Sequence, residues 1–216
     1  MDGFLNRTEA GKALAAELAG RRLKDPVILA LPRGGIPVGI EVARELGAPM
    51  DLVMVRKIGV PGQPELAVAA VVNGDDSQLI INESIAAHAR LSREDIEHLA
   101  KAQLDEIARR RAIYLKGRAA VPLEGRTAIV VDDGIATGAT MRVSLKAVRR
   151  RLPGKLILAV PVAAPDTLGA LREEVDEVVC LLEPQPFFGV GAHYADFSQT
   201  SDDEVARLMD EADDLS

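Results

Sequence analysis

Thirteen consecutive residues carry the densest chemistry in this chain: Ala128-Ile129-Val130-Val131-Asp132-Asp133-Gly134-Ile135-Ala136-Thr137-Gly138-Ala139-Thr140. A short apolar run leads into two adjacent carboxylates, and a loop of small residues with two hydroxyls follows. Asp132 and Asp133 can hold sugar hydroxyls or the water on a divalent cation. Ala136 to Thr140 offers backbone N–H groups with almost no side-chain bulk at a helix start, which suits a phosphate. A phosphorylated sugar satisfies both halves together. Pro32-Arg33-Gly34-Gly35 is a tight loop, either a plain strand-to-helix turn or a second anion site. Arg33 can make charge-assisted bonds to phosphate oxygens, and Gly34-Gly35 lets the backbone approach closely. Arg56 and Lys57 add a third basic point, in a stretch (56–64) whose glycines and prolines read as a loop.

These groups need a scaffold, and the hydrophobic pattern supplies one. Thr127–Val131 is continuous, apolar and largely β-branched, as in a strand buried on both faces of a parallel sheet. It places Asp132 and Asp133 at the strand's carboxyl end, where open α/β sheets bind ligands. Strands are also expected at 27–31, 51–55, 66–72, 155–160 and 177–182. An Asn73-Gly74 turn should follow the third. Helices are expected at 7–20, with Gly20 as its cap, at 37–46 with Pro at the first turn, at 138–152, at 165–174 and at 201–211. Residues 83–116 differ. Ser92-Arg93-Glu94-Asp95 reads as a capping start, and Ile96, Leu99, Leu104 and Ile107 recur at helical spacing. This is a long charged helix inserted between core strands, and its Arg109-Arg110-Arg111 run reads as a solvated face or an interface. Strands alternating with helices argue an α/β fold with helices on both faces of a parallel sheet.

Composition bounds the function classes. With 216 residues, 48% hydrophobic and 27% charged, the chain is globular and fits a single domain. A net charge of −7 argues against a nucleic-acid partner. No apolar run is long enough to span a membrane, and the N-terminus lacks the layout of a signal peptide. The single Cys180 excludes an internal disulfide, suits a reducing cytoplasm, and reads as a small core residue. His88, His98 and His193 show no metal-ligand spacing.

Residues 128–140 resemble the phosphoribosyl-pyrophosphate (PRPP) motif of the type I phosphoribosyltransferases, with Gly134 where that family usually has an aliphatic residue or Ser. The chain as a whole is similar to a group of bacterial proteins assigned to that family without an assigned acceptor. The resemblance implies a three-layer, Rossmann-like core with a five-stranded parallel sheet, at about residues 21–182, and a small hood, here about 183–216. It implies an enzyme of nucleotide metabolism that transfers the 5-phosphoribosyl group of PRPP to a nucleobase or related nitrogen acceptor and releases pyrophosphate. The implied cofactor is Mg²⁺ at Asp132 and Asp133, and the implied assembly is a homodimer. Carried over residue by residue, Gly134, Ile135, Ala136, Thr137, Gly138, Ala139 and Thr140 would hold the 5-phosphate with the acidic pair on the ribose. Arg33, Gly34 and Gly35 would form the pyrophosphate loop, where the family often has a strained or cis peptide, expected here after Arg33. Arg56 and Lys57 look like the R-K-x-G stretch of adenine enzymes.

The tail is similar to the hood of hypoxanthine-guanine enzymes, which makes Phe188 the base stacker, with Phe187 as a neighbour able to replace it, and Asp196 the base-binding acid. The same segment also suits a surface loop whose aromatics anchor on the core. Ala136 removes the acid that hypoxanthine-guanine enzymes place near the purine, so the base stays open. A PRPP-binding regulatory protein with little catalysis is the alternative. A PRPP synthetase would need two such domains, and no G-x-G-x-x-G follows a strand.

Overall fold

The computed structural model describes residues 3–72 and 78–215. The Asn73-Gly74 turn lies outside them. The chain divides into two compact units, one made of Met1–Leu52 with Val121–Ser216 and the other of Val53–Ala120.

The first unit is built on apolar runs that are buried almost throughout in the central strands of its sheet. Strands β1 (Pro26–Ala30), β2 (Met50–Leu52), β6 (Thr127–Val131), β7 (Lys155–Val162) and β8 (Glu177–Leu182) form one parallel sheet in the order β2-β1-β6-β7-β8. Every residue of β6 is buried, as its unbroken apolar sequence requires. The helices of this unit are α1 (Arg7–Ala19), α2 (Gly35–Leu46), α5 (Ala139–Arg149), α6 (Pro165–Leu171) and α7 (Asp202–Asp213). Asn6 caps α1 by accepting from Glu9 N–H, and Leu14 and Leu18 are its buried stripe. From β1 the chain crosses through α2 to β2 on one side. From β6 it crosses through α5 and α6 to β7 and β8 on the other. Right-handed crossovers therefore place α2 on one face of the sheet and α5 and α6 on the other. The direction of winding reverses between β1 and β6, and the crevice outside their carboxyl ends is where such sheets bind ligands.

In the second unit, β3 (Val55–Val60), β4 (Gln63–Val72) and β5 (Gln78–Ile81) form an antiparallel sheet, beside α3 (Glu83–Ala89) and α4 (Arg93–Leu115). Two sequence expectations are corrected here. Residues 56–64 are not a loop: β3 and β4 make a hairpin turning at Pro61-Gly62, with Gly62 at φ +81°. Residues 66–72 are not a strand of the parallel core but half of that hairpin, and the second core strand stops at Leu52. The physical reason lies in burial. The outer part of β4, from Gln63 to Leu66, is exposed while Val68 to Val72 is buried, so its apolar half matches a core strand over a short window. Helix α4 opens on a capping box between Ser92 and Asp95, as its sequence indicates, and buries Ile96, Ala100 and Ile107. Glu106 on this helix receives Arg56, Arg109 and Arg110, and the hydrogen bonds from Arg109 and Arg110 hold its carboxyl down to about 2.

Among the described residues no helix is long and apolar enough to cross a membrane. Cys180 lies on β8 with its thiol donating to Leu182 O at 3.2 Å, and burial pushes that thiol up to about 11. The expected result is alkylation in the native protein at pH 8 on the order of a hundredfold slower than a free cysteine. Labelling at the rate of an exposed thiol would contradict this burial.

Candidate functional site

Two loops meet at the carboxyl ends of β1 and β6. The Leu31 N–H donates to Val131 O at 2.9 Å, and the Gly35 N–H closes the turn onto Leu31 O at 3.0 Å. A Cβ on Gly35 would stand 2.7 Å from Val131 O, and one on Gly34 would collide with the Asp133 carboxylate. The glycine pair is thus what lets the loop after β1 lie directly on the acidic pair. The cis peptide of this loop is Pro32–Arg33, the bond before Arg33 rather than the one after it. Arg33 points its Nη1 at Asp202 Oδ1, 3.4 Å away at the start of α7.

Beyond β6 the chain lines a cavity of about 210 Å³ with Asp132, Gly134, Ile135, Ala136, Thr137, Gly138, Ala139, Thr140 and Met141, and Val190 closes it from the tail. The loop is held from behind. The Ile135 N–H donates to Val162 O at 3.0 Å, the Ala164 N–H to Ile135 O at 2.9 Å, and the Thr167 hydroxyl to Ala136 O at 2.7 Å. Gly138 caps α5 at φ +71°, a conformation that costs glycine little. The first-turn N–H groups of an α-helix have no partner within it, and the helix dipole adds positive potential there. The arrangement can receive an anion at the helix start while Asp132 faces the same space.

The two carboxylates are not equivalent. Asp132 borders the cavity and accepts the Asp133 N–H at 2.9 Å, and burial together with the adjacent Asp133 charge raises its carboxyl well above the usual range. Asp133 turns elsewhere. Its Oδ2 pairs with Arg7 Nε at 2.7 Å, with the two side chains only 14% and 12% exposed. Burial raises this carboxyl too, and Arg7 opposes that rise. Arg7 also donates to Ser198 O at 2.6 Å and lies 4.0 Å over the Phe197 ring, while the Tyr194 hydroxyl donates to Asp133 O at 2.6 Å. Sequence reading missed Arg7, Tyr194 and Val190. Arg7 is 126 residues from Asp133, and no local pattern marks such a contact.

In the tail, Phe188 is 82% exposed, and the aromatic packed inward is Phe187, stacked on His193 at 5.9 Å between ring centres. The His193 Nε2 is buried without a hydrogen-bond partner among the described residues. Asp196 is exposed, and the Ser198 N–H bonded to its carboxylate at 3.0 Å holds that group below the usual range. The tail thus reaches the cavity through Val190. Arg56 and Lys57 belong to the second unit, on β3, where Arg56 pairs with Glu106 at 3.1 Å and Lys57 is exposed.

Residues 4–196 match the family model of the phosphoribosyl transferase domain. A Mycobacterium tuberculosis protein whose name assigns it provisionally to the phosphoribosyl transferases is 44% identical over 209 residues, 97% of this chain and 47% of its own length. The chain therefore spans about half the length of the curated relatives it matches. The crystal structure of TT1426 from Thermus thermophilus is similar at a TM-score of 0.84 and 40% identity, over 97% of this chain and 98% of that one. A hypothetical protein from Neisseria gonorrhoeae, crystallised with bound ppGpp, shares the fold at a TM-score of 0.53 and 16% identity, over 98% of each chain.

Proposed function

The chain belongs to the type I phosphoribosyltransferase family, and on that premise we propose that it transfers the 5-phosphoribosyl group of PRPP to a nucleobase or related nitrogen acceptor, with Mg²⁺, releasing pyrophosphate. One observation carries the proposal. A carboxylate and a helix-start phosphate loop line the same cavity at the point where the sheet's winding reverses.

In this function the loop from Ala136 to Thr140 holds the 5-phosphate through its N–H groups and the Thr137 and Thr140 hydroxyls, and fixes the sugar relative to the acidic pair. Asp132 accepts from the ribose hydroxyls. Arg33 exchanges its long contact with Asp202 for the pyrophosphate oxygens, with the Gly34-Gly35 backbone beside it. The C1–O bond to pyrophosphate breaks as the acceptor nitrogen bonds C1, through an oxocarbenium-like transition state of the kind found in glycoside cleavage. The chain's contribution is orientation, and stabilisation of the charge that gathers on the leaving group. Arg56 and Lys57 are the proposed further phosphate contacts. Phe188 remains the candidate stacker, and Asp196 the candidate acid for the acceptor.

The donor chemistry fits Mg²⁺, which binds through one or two carboxylates and takes its remaining ligands from water and substrate phosphates. Asp132 lines the cavity where the ion would sit, whereas Asp133 is engaged by Arg7. When bound, the ion neutralises charge on pyrophosphate. A homodimer is the assembly proposed for the protein.

The test is pyrophosphate release from PRPP across purines, pyrimidines and small amines. Release with one acceptor, abolished by EDTA and restored by Mg²⁺, is the expected result. Binding of PRPP without release across the panel would favour a PRPP-responsive regulator. That alternative draws some support from the internal commitments of Arg33 and Asp133. Absence of PRPP binding by calorimetry would overturn both.

A further inference from the structure

Arg7 lies outside every motif that points to this function, yet its guanidinium makes three kinds of contact around the site. Its Nε is 2.7 Å from Asp133 Oδ2, one Nη donates to Ser198 O at 2.6 Å, and its plane lies 4.0 Å from the centre of the Phe197 ring. A planar fork with a delocalised charge can make these contacts at once, and a lysine ammonium cannot. Asp133 is seated as firmly from its other sides. Its carboxylate lies where a side chain on Gly34 would be, and its carbonyl accepts the Tyr194 hydroxyl at 2.6 Å. Of the two adjacent carboxylates only Asp132 lines the cavity.

We propose that Arg7 is a positioning residue for PRPP binding: it draws the Asp133 carboxylate onto the Gly34 loop and neutralises it there, leaving Asp132 as the carboxylate that faces the ligand. This rests on the phosphoribosyl-transfer function above and deepens it. PRPP is a polyanion. A second unpaired carboxylate beside its site would repel it, and the loop that should carry pyrophosphate would lose the group packed against Gly34. The same arginine ties the tail, at Phe197 and Ser198, to the acid on the sugar side. The segment proposed to receive the acceptor and the segment proposed to hold the sugar are therefore held by one side chain.

The test compares the native chain with Arg7→Gln, Arg7→Lys and the double variant Arg7→Gln/Asp133→Asn, measuring PRPP affinity by calorimetry and KM and kcat by pyrophosphate release. The expected result is a loss of PRPP affinity of about tenfold or more in Arg7→Gln, in line with loss of a charge-assisted pair, carried mainly in KM. Arg7→Lys should recover part of it. Adding Asp133→Asn to Arg7→Gln should bring KM back towards the native value, because the unpaired charge is gone. A residue that served only the fold would reduce the active fraction and hence kcat, leave KM alone, and show no rescue by a second substitution. Native-like KM in folded Arg7→Gln, or a double variant no better than the single one, overturns the role of Arg7 while leaving the transferase function in place. A native chain that does not bind PRPP overturns the function itself, and the role of Arg7 with it.

Discussion

Replacing Asp132 by Asn will lower kcat/KM for PRPP at least a hundredfold and will raise the melting temperature of the ligand-free protein. Both effects follow from one feature. Asp132 is held in a site that disfavours its charge, through burial and through Asp133 next to it. Folding therefore keeps there a carboxylate that would ionise more readily in the unfolded chain. An asparagine of nearly the same shape still accepts the Asp133 N–H, and it carries no charge to be desolvated or repelled. Each ~1 kcal/mol of stability corresponds to about 2–4 °C in a chain of this size. Under the proposed function the loss of activity is larger, because a charge aimed at a ribose hydroxyl or a metal-bound water would act in a site of low dielectric, where one such group accounts for on the order of 10²–10³ in rate. The pH dependence has a definite sign. A carboxyl whose folded value is raised costs stability once the unfolded chain has released its proton, so the contribution of Asp132 turns unfavourable as pH rises above about 4. The melting-temperature gap between Asp132→Asn and the native chain should widen as pH rises above about 4 and close as pH falls below it. Asp133→Asn should raise the melting temperature less than Asp132→Asn does, because burial raises the Asp133 carboxyl too but the substitution also takes the partner from the mostly buried Arg7. A lower melting temperature for Asp132→Asn, or retained activity, would contradict this division between the two aspartates.

Local pattern made the core of the site legible and hid what surrounds it. Thr127–Val131 is apolar on both faces because it is central in the sheet, so its sequence admits few other structures, and the strand spans those residues. The loop after it carries its own signal, since small residues at a helix start have few structural uses besides close approach. Helix α2 begins at Gly35, two residues before Pro37, because Gly35 and Ile36 already have helical geometry and proline is tolerated throughout a first turn. The hairpin at 55–72 was misread for a physical reason as well. Pro61-Gly62 has the residue order of a type II turn, but the strands beside it are only half covered and contain Gly59, where the pairing register slips. Glycine and proline in a short window then look like loop composition. The contact from Arg7 to Asp133 depends on how α1 and the tail return to the end of β6, and no spacing rule reaches that far. Val190 belongs to the same class: an aliphatic residue among glycines and aromatics is a visible oddity, but only the fold places it at the cavity.

Gly134→Ile, which installs the kind of residue the family usually carries, will destabilise this chain, although it is the more ordinary sequence. A Cβ at Gly134 would lie 2.5 Å from Val190 Cγ1, 2.9 Å from Val162 Cγ1 and 3.0 Å from Val162 O. The first neighbour is the tip of a side chain on the tail. The other two belong to β7, whose position the sheet fixes, and overpacking against such neighbours costs about 1–3 kcal/mol. At ~2–4 °C per kcal/mol the expected fall in melting temperature is several degrees. The milder Gly134→Ala should show a smaller fall, and pairing it with Val190→Ala should recover only part of that, because the Val162 contacts persist. Full recovery would mean that β7 yields and that Val190 alone sets the limit. No destabilisation at all would mean that the tail is not packed on the loop as found. The exchange bears on function because Val190 is the tail residue that closes the cavity. Here the wall beside Asp132 comes from the tail, across a glycine with no side chain of its own. Whatever moves the tail then moves the wall, so Gly134→Ala should also raise KM for PRPP, whereas a substitution on the exposed Phe188 should leave PRPP binding unchanged and alter the choice of acceptor.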